Sequence, residues 1–263
     1  EKAGRRFVDA LLDAEPNRLG EDFRTALFDR TAGHPLFTIE LLRALQERSG
    51  LVRNDKDGAW IEGPELAWQA LPARVEAVIE ERVSRLAPRL REVIRIASVE
   101  GERFTAQVIA AVANAAQGPL LQDLTRLEKR HRLVVEQGEV QVGTRRAVRY
   151  KFGHALVQEY IYHCLGQGER RRLHGQVAAA LERLYEGHEE EIAVPLAEHR
   201  RRAGDEDAAL HYLSLAADSA ARRYAHQEAV ALYTQAVGLR HPATLDAAAL
   251  ANLYCKRSLA YRT

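Results

Sequence analysis

Apolar residues recur along this chain mostly at helical spacing, broken in a few places by short alternating runs. Phe7, Val8, Leu11 and Leu12 mark an amphipathic first helix that ends near Pro16. Phe23, Leu27 and Phe28 mark a second, running into Thr31-Ala32-Gly33, and Ile39, Leu41, Leu42 and Leu45 mark a third that stops at Ser49-Gly50. Pro35 suits the opening turn of that third helix, where a missing N–H costs nothing. Leu51-Val52 and Trp60-Ile61 enclose Asn54, Asp55, Asp57 and Gly58, which predicts a short hairpin.

Leu71-Pro72 opens a second set. Val75, Val78, Ile79, Val83 and Leu86 give one helix, and Pro88 starts another through Leu90, Val93, Ile94, Ala97 and Val99 that Gly101 ends. Phe104-Thr105 begins a short helix through Val108, Ile109 and Val112, and Gly118-Pro119 begins one through Leu120, Leu121, Leu124 and Leu127. Leu133-Val134-Val135, a turn at Gly138, Val140-Gln141-Val142 and then Val148-Arg149-Tyr150 read as a β-ribbon. Helices followed by such a ribbon are the plan of a winged helix. At the ribbon's end the period changes: Val148, Tyr150 and Phe152 alternate as a strand, and after Gly153 the positions Leu156, Val157, Tyr160, Ile161 and Leu165 follow helical spacing. His154 is thereby expected in the first turn of a helix, between a strand and an apolar helical face.

From about residue 168 the pattern is helical to the end, with Leu173, Val177, Leu181 and Leu184 as a core stripe. Asp207–Ala216 and Glu228–Ala236 repeat one scheme of acid, small alanines, tyrosine and alanine, as in tetratricopeptide-like helical arrays. The stretch after Pro242 is expected to start a further helix pair. The fold class expected is mainly α: a helical segment over 1–69, a winged helix with a small β-ribbon over 70–166, and helical repeats over 167–263.

Composition narrows the function classes. At 46% hydrophobic and 29% charged, with no apolar run near the roughly 20 residues of a membrane span, the chain of 263 residues reads as a soluble protein. A net charge of +1 gives no global pull toward nucleic acid or acidic lipid. The two cysteines, Cys164 and Cys255, exclude a disulfide framework and favour a reducing, cytoplasmic setting. The ten histidines show no metal-ligand spacing, His211 and His226 included, so no metal site is expected. With no methionine anywhere, the chain is expected to be a piece of a longer protein.

Several segments in order resemble one family. Thr31-Ala32-Gly33-His34-Pro35-Leu36-Phe37 with Glu40-Leu41-Leu42 resembles the lid segment of bacterial signal-transduction ATPases with numerous domains, the STAND class. Leu71-Pro72 through Ile79 and Arg82–Leu86 are similar to the segment that follows the lid there. Phe152–Glu159 with Tyr162-His163-Cys164-Leu165 looks like the family's winged-helix histidine segment, and Arg170-Arg171-Arg172-Leu173-His174 like the basic run after it. Leu196-Ala197-Glu198-His199 and Ala203-Gly204-Asp205 resemble the head of its helical repeats. The matches run from Thr31 to Asp205.

The resemblance implies a nucleotide, ATP or ADP, held between a P-loop core, a lid and a winged helix. Gly33 and Pro35 match the lid positions, with Pro35 near the adenine, and His154 matches the histidine that reaches the phosphates of ADP. Chemically, an imidazole at a helix start is suited to donate to a phosphate oxygen, aided by the helix N-terminus. The chain departs from the family in having no Gly-x-x-x-x-Gly-Lys-Ser/Thr and no acidic pair for magnesium, so the P-loop core would precede Glu1 and no catalytic residue is expected here. The function implied is regulatory: nucleotide state coupled to a protein or small-molecule inducer on the helical array, in a transcriptional regulator or a cyclase-linked protein. DNA is not expected as a partner through this stretch, because Asp123, Glu128, Glu136 and Glu139 interrupt the basic residues Arg126, Lys129, Arg130, Arg132, Arg145, Arg146 and Arg149, which read as a solvated face. The alternatives are a DNA-binding winged helix with a helical dimerisation arm, and a passive helical scaffold.

Overall fold

The computed structural model describes residues 2–47, 49–64, 66, 68, 73–239 and 255–256. It is mainly helical with small sheets. The chain forms two compact units, one of Glu1–Arg103, Leu121–Gln137 and Tyr150–Cys164, the other of Phe104–Leu120, Gly138–Arg149 and Leu165–Thr263.

The first unit opens with helices α1 (Lys2–Leu12), α2 (Glu21–Thr31) and α3 (Pro35–Glu47), then strands β1 (Leu51–Arg53) and β2 (Trp60–Glu62) as an antiparallel hairpin with Val52 opposite Ile61. Val8, Leu12, Phe23, Leu27, Leu41 and Leu45 form its core, with Trp60 and Trp68 packed against it. These are the apolar positions the sequence period marks. The expected opening Leu71-Pro72 lies outside the described residues; α4 (Ala73–Ser84) and α5 (Pro88–Glu100) follow. Pro88 starts α5, and Gly101 ends it at φ 136°, a backbone angle suited to glycine.

Two expectations about the winged-helix segment are corrected. Arg103–Thr105 is a strand, β3, and helix α6 (Ala106–Val112) begins only after it, although a helix from Phe104-Thr105 was expected. Phe104 and Thr105 are both buried, so no alternation was visible in so short a strand. After α7 (Gln117–Lys129), Gly138 is not the hairpin turn. It lies inside β4 (Val134–Val142) at φ 97°, and the chain reverses at Gly143-Thr144 into β5 (Arg145–Phe152). The sheet order is β3-β5-β4, the order of a winged helix. Helix α8 (Ala155–His163) completes the first unit.

The second unit carries α9 (Gln167–Leu184), a 3-10 turn (Glu189–Ile192), α10 (Ala193–Ala203), α11 (Glu206–Arg222) and α12 (His226–Gly238). Each helix packs on the next in sequence, the nearest-neighbour pattern of a helical array. The stretch after Pro242 lies outside the described residues. Gly204 closes α10 at φ 81°, and the Asp205 carboxylate accepts from the Ala208 amide at 3.2 Å to cap α11. The two similar sequence copies are adjacent helices: Leu213, Ala216 and Ala220 of α11 share one buried cluster with Ala229, Leu232 and Tyr233 of α12. Alanine permits this approach, so Ala216→Leu or Ala229→Leu should overpack it and cost about 1–3 kcal/mol, read as a lowered midpoint in urea denaturation. Among the described residues no helix is long and apolar enough to cross a membrane.

Candidate functional site

The lid-like segment and the histidine segment, over a hundred residues apart in sequence, meet in the first unit. Thr31 ends α2, and Ala32 (φ 47°) and Gly33 (φ 68°) turn the chain through left-handed backbone into α3. The Thr31 carbonyl accepts from the His34 amide at 2.9 Å and lies 3.2 Å from His154 Nδ1. Its hydroxyl donates to the Leu27 carbonyl at 2.8 Å and lies 3.0 Å from the Thr38 hydroxyl, and both threonines are fully buried. Thr31 is thus the hub of the junction. Its place in the quoted segment was visible, but its role was not, since nothing in the spacing distinguishes it.

His154 is the N-cap residue of α8, with extended backbone (φ −145°, ψ 131°), and so precedes the first turn in which it was expected. Its half-buried ring meets His34 edge-on at a centroid distance of 5.5 Å and Phe37 at 5.2 Å. A carbonyl oxygen only accepts, so Nδ1 of His154 carries the hydrogen of the Thr31 bond and the neutral ring presents Nε2 as an acceptor. Burial first, then His34 and Arg82 nearby, pushes its pKa from the ordinary 6.5 down to about 4. His34 is also lowered, by burial and by Arg82, and its Nδ1 is buried without a partner.

Gly33 and Pro35 occupy different surroundings. A Cβ on Gly33 would fall 2.4 Å from Gly4 Cα, so this glycine serves a close approach of α1 to the turn. Pro35 is exposed at the first position of α3. Other residues of the histidine segment are ties: Gln158 donates to the Ser98 carbonyl at 2.6 Å, and Glu159 pairs with Arg30 at 3.1 Å.

The second unit holds a polar pair that sequence reasoning missed. His174 and His199, one from each of two quoted segments, are buried with their Nδ1 atoms 2.8 Å apart. One ring must donate and the other accept. Burial pushes His174 down to about 3 and His199 to about 4. Arg171, from the basic run, donates from Nε to the Ala203 carbonyl at 2.8 Å. The only signal in the sequence was a histidine beside an apolar stripe on each helix.

These histidines set a pH dependence. A histidine whose folded pKa lies below its unfolded value binds fewer protons when folded. Its contribution is full above about pH 6.5 and is lost as pH falls toward 4. Urea midpoints should therefore drop between pH 7 and pH 4.5, and His154→Asn should flatten the part of that slope due to the first unit. An unchanged slope in the variant would mean that His154 titrates normally.

The interleaved acids of the winged-helix segment each have a partner within the fold, and Asp123 alone of the four is buried. Asp123 is buried and pairs with Arg89 at 2.5 Å and Arg126 at 3.2 Å. Glu128 accepts from the Glu136 amide, Glu136 accepts from the Tyr150 hydroxyl, and Glu139 pairs with Arg146 at 3.6 Å. Lys129, Arg130 and Arg132, at the end of α7, are exposed. Among the described residues no group of three or more His, Cys, Asp or Glu is placed to hold a metal ion. In comparisons with known proteins, no protein-family model matches the chain and no curated protein matches it.

Proposed function

We propose that this chain is the regulatory part of a STAND-type ATPase, in which the lid-like segment and His154 respond together to ATP or ADP held by a P-loop core of the same polypeptide, and the helical array takes a protein or small-molecule inducer. The observation that carries this reading is the hydrogen bond from His154 to Thr31, which joins two segments that both resemble nucleotide-facing elements of that family. The residues fit a nucleotide in part. Pro35 is exposed and free to face a purine, whereas Gly33 contributes only its turn, since its open side is filled by Gly4. His154 is limited to one way of donating to a phosphate: with Nδ1 committed to Thr31, it must be protonated so that Nε2 carries a hydrogen. A phosphate supplies the negative charge that makes this favourable. Bound nucleotide would bring the phosphoryl chemistry; this chain would sense its presence and position the helices that respond.

The chain by itself should not turn over ATP, because it has no phosphate-cradling loop and no magnesium-binding acidic pair. ATP turnover that co-purifies at constant specific activity would refute this. The reading itself is tested in the full-length gene product by ADP titration: His154→Gln should weaken binding by about ten- to hundredfold, the worth of a hydrogen bond to a charged group. Unchanged affinity would remove His154 from the nucleotide site. We also assign the protein to the cytoplasm, in keeping with its two exposed free cysteines.

A second reading, a DNA-binding winged helix, gains from the burial of Asp123 against Arg89 and Arg126, with Lys129, Arg130 and Arg132 exposed at the end of α7. Three cations at one helix end support weak, salt-sensitive association, and a mobility-shift titration should find no specific site. A specific site bound at nanomolar level would reverse the order of the two readings.

A further inference from the structure

Helices α4, α5 and α8 of the first unit surround a cleft of about 320 Å³ that the nucleotide reading does not use. This volume lies at the small end of the range for ligand sites. Val83, Tyr160 and Ile161 give it apolar walls. Arg91, also in the lining, is the group that the fold leaves unbalanced. Its Nη2 donates to the backbone carbonyls of Ser84 at 2.7 Å and Leu86 at 3.2 Å, which fixes the guanidinium across the end of α4. Both acceptors are neutral, and its Nε–H is buried with no partner. Among the described residues no carboxylate pairs with Arg91. A cation held rigidly at a cleft wall, its Nη1 making no hydrogen bond among the described residues, favours a charged acceptor there, because charge-assisted hydrogen bonds are the strong ones. The lining contains one acid, Glu80, whose charge counts against a multiply charged ligand and in favour of a monoanion.

We propose that this cleft binds a small organic carboxylate, with its anion on Arg91 and its apolar body between Val83, Tyr160 and Ile161. Such a site lies apart from the His154 junction and makes the helical core itself receptive to a metabolite. Its occupation would bridge α4, α5 and α8, the last of which carries His154 at its cap.

Cys164 lines the same cleft and is exposed, so it reports on occupancy. With Cys255→Ser as background it is the sole thiol, since the chain has two cysteines. The experiment follows labelling of Cys164 by the neutral reagent 4,4′-dithiodipyridine while benzoate is added, with inorganic phosphate at equal ionic strength as the control. Benzoate should slow labelling saturably and phosphate should not. Arg91→Gln should weaken the protection about tenfold, the effect of losing one charged hydrogen bond. Glu80→Gln, a change at an exposed position that keeps the fold, should strengthen it severalfold. Labelling that ignores benzoate, or protection that phosphate gives equally, would overturn the proposal. So would protection unchanged in Glu80→Gln, a result that stands even where Arg91→Gln melts early.

Discussion

Gly33→Ala should lower the stability of the first unit by about 2–5 kcal/mol, a combination of left-handed strain and overpacking. At φ 68° an alanine is strained whatever the space around it. The added Cβ would also lie 2.4 Å from Gly4 Cα and 2.5 Å from the Gly4 carbonyl carbon and oxygen, all backbone atoms that cannot swing away. Helix α1 or the α2–α3 turn must shift. Gly4→Ala isolates the contact from the strain. Its Cβ would stand 2.8 Å from the Ala32 carbonyl oxygen in a residue with ordinary helical backbone, where alanine otherwise gains about 1 kcal/mol in propensity. It should therefore destabilise less than Gly33→Ala. Urea denaturation of both variants checks the order; midpoints equal to wild type would mean that α1 does not rest on the turn.

Phe37→Ala should cost about 3–5 kcal/mol, the usual loss for a buried phenylalanine. The side chain is fully buried and stands 4.5 Å from the His34 ring centroid and 5.2 Å from that of His154. A second effect separates this residue from an ordinary core position. The low pKa of His154, about 4, comes first from burial, and Phe37 is one of the rings that cover it. Removing it should let water approach and move the His154 titration up toward 6.5. Proton NMR of the imidazole across pH 4–8 reads this directly. A destabilised variant with an unmoved titration would mean that Phe37 packs beside His154 without shielding it.

Much of the architecture was legible because apolar period and punctuation agreed. Pro35 and Pro88 open helices, Gly101 closes one, and the change of period at Gly153 marks where β5 gives way to α8. The failures have physical causes. Gly138 and Gly143 both qualify as turn residues, and a glycine inside a strand looks the same in sequence as one at its end. The two alanine-rich copies are adjacent helices that share one buried cluster, and a shared interface favours the same small residues on both partners. Of the site, the identities of Gly33, Pro35 and His154 came from resemblance, and periodicity placed only the strand–helix junction. That His154 binds Thr31, and that His174 finds His199, depends on helix packing that no local pattern encodes.

The measurement closest to the central claim is proton uptake on ADP binding by the full-length gene product. With Nδ1 given to the Thr31 carbonyl, His154 could donate to the phosphate of the proposed nucleotide only as the imidazolium, and burial favours the neutral ring. Calorimetric titrations at pH 7 in buffers of different ionisation enthalpy should thus show uptake approaching one proton per ADP, and His154→Gln should abolish it while weakening binding about ten- to hundredfold. Binding without proton uptake, at an affinity the substitution leaves unchanged, would contradict the account and leave His154 as a packing residue that ties α8 to the end of α2.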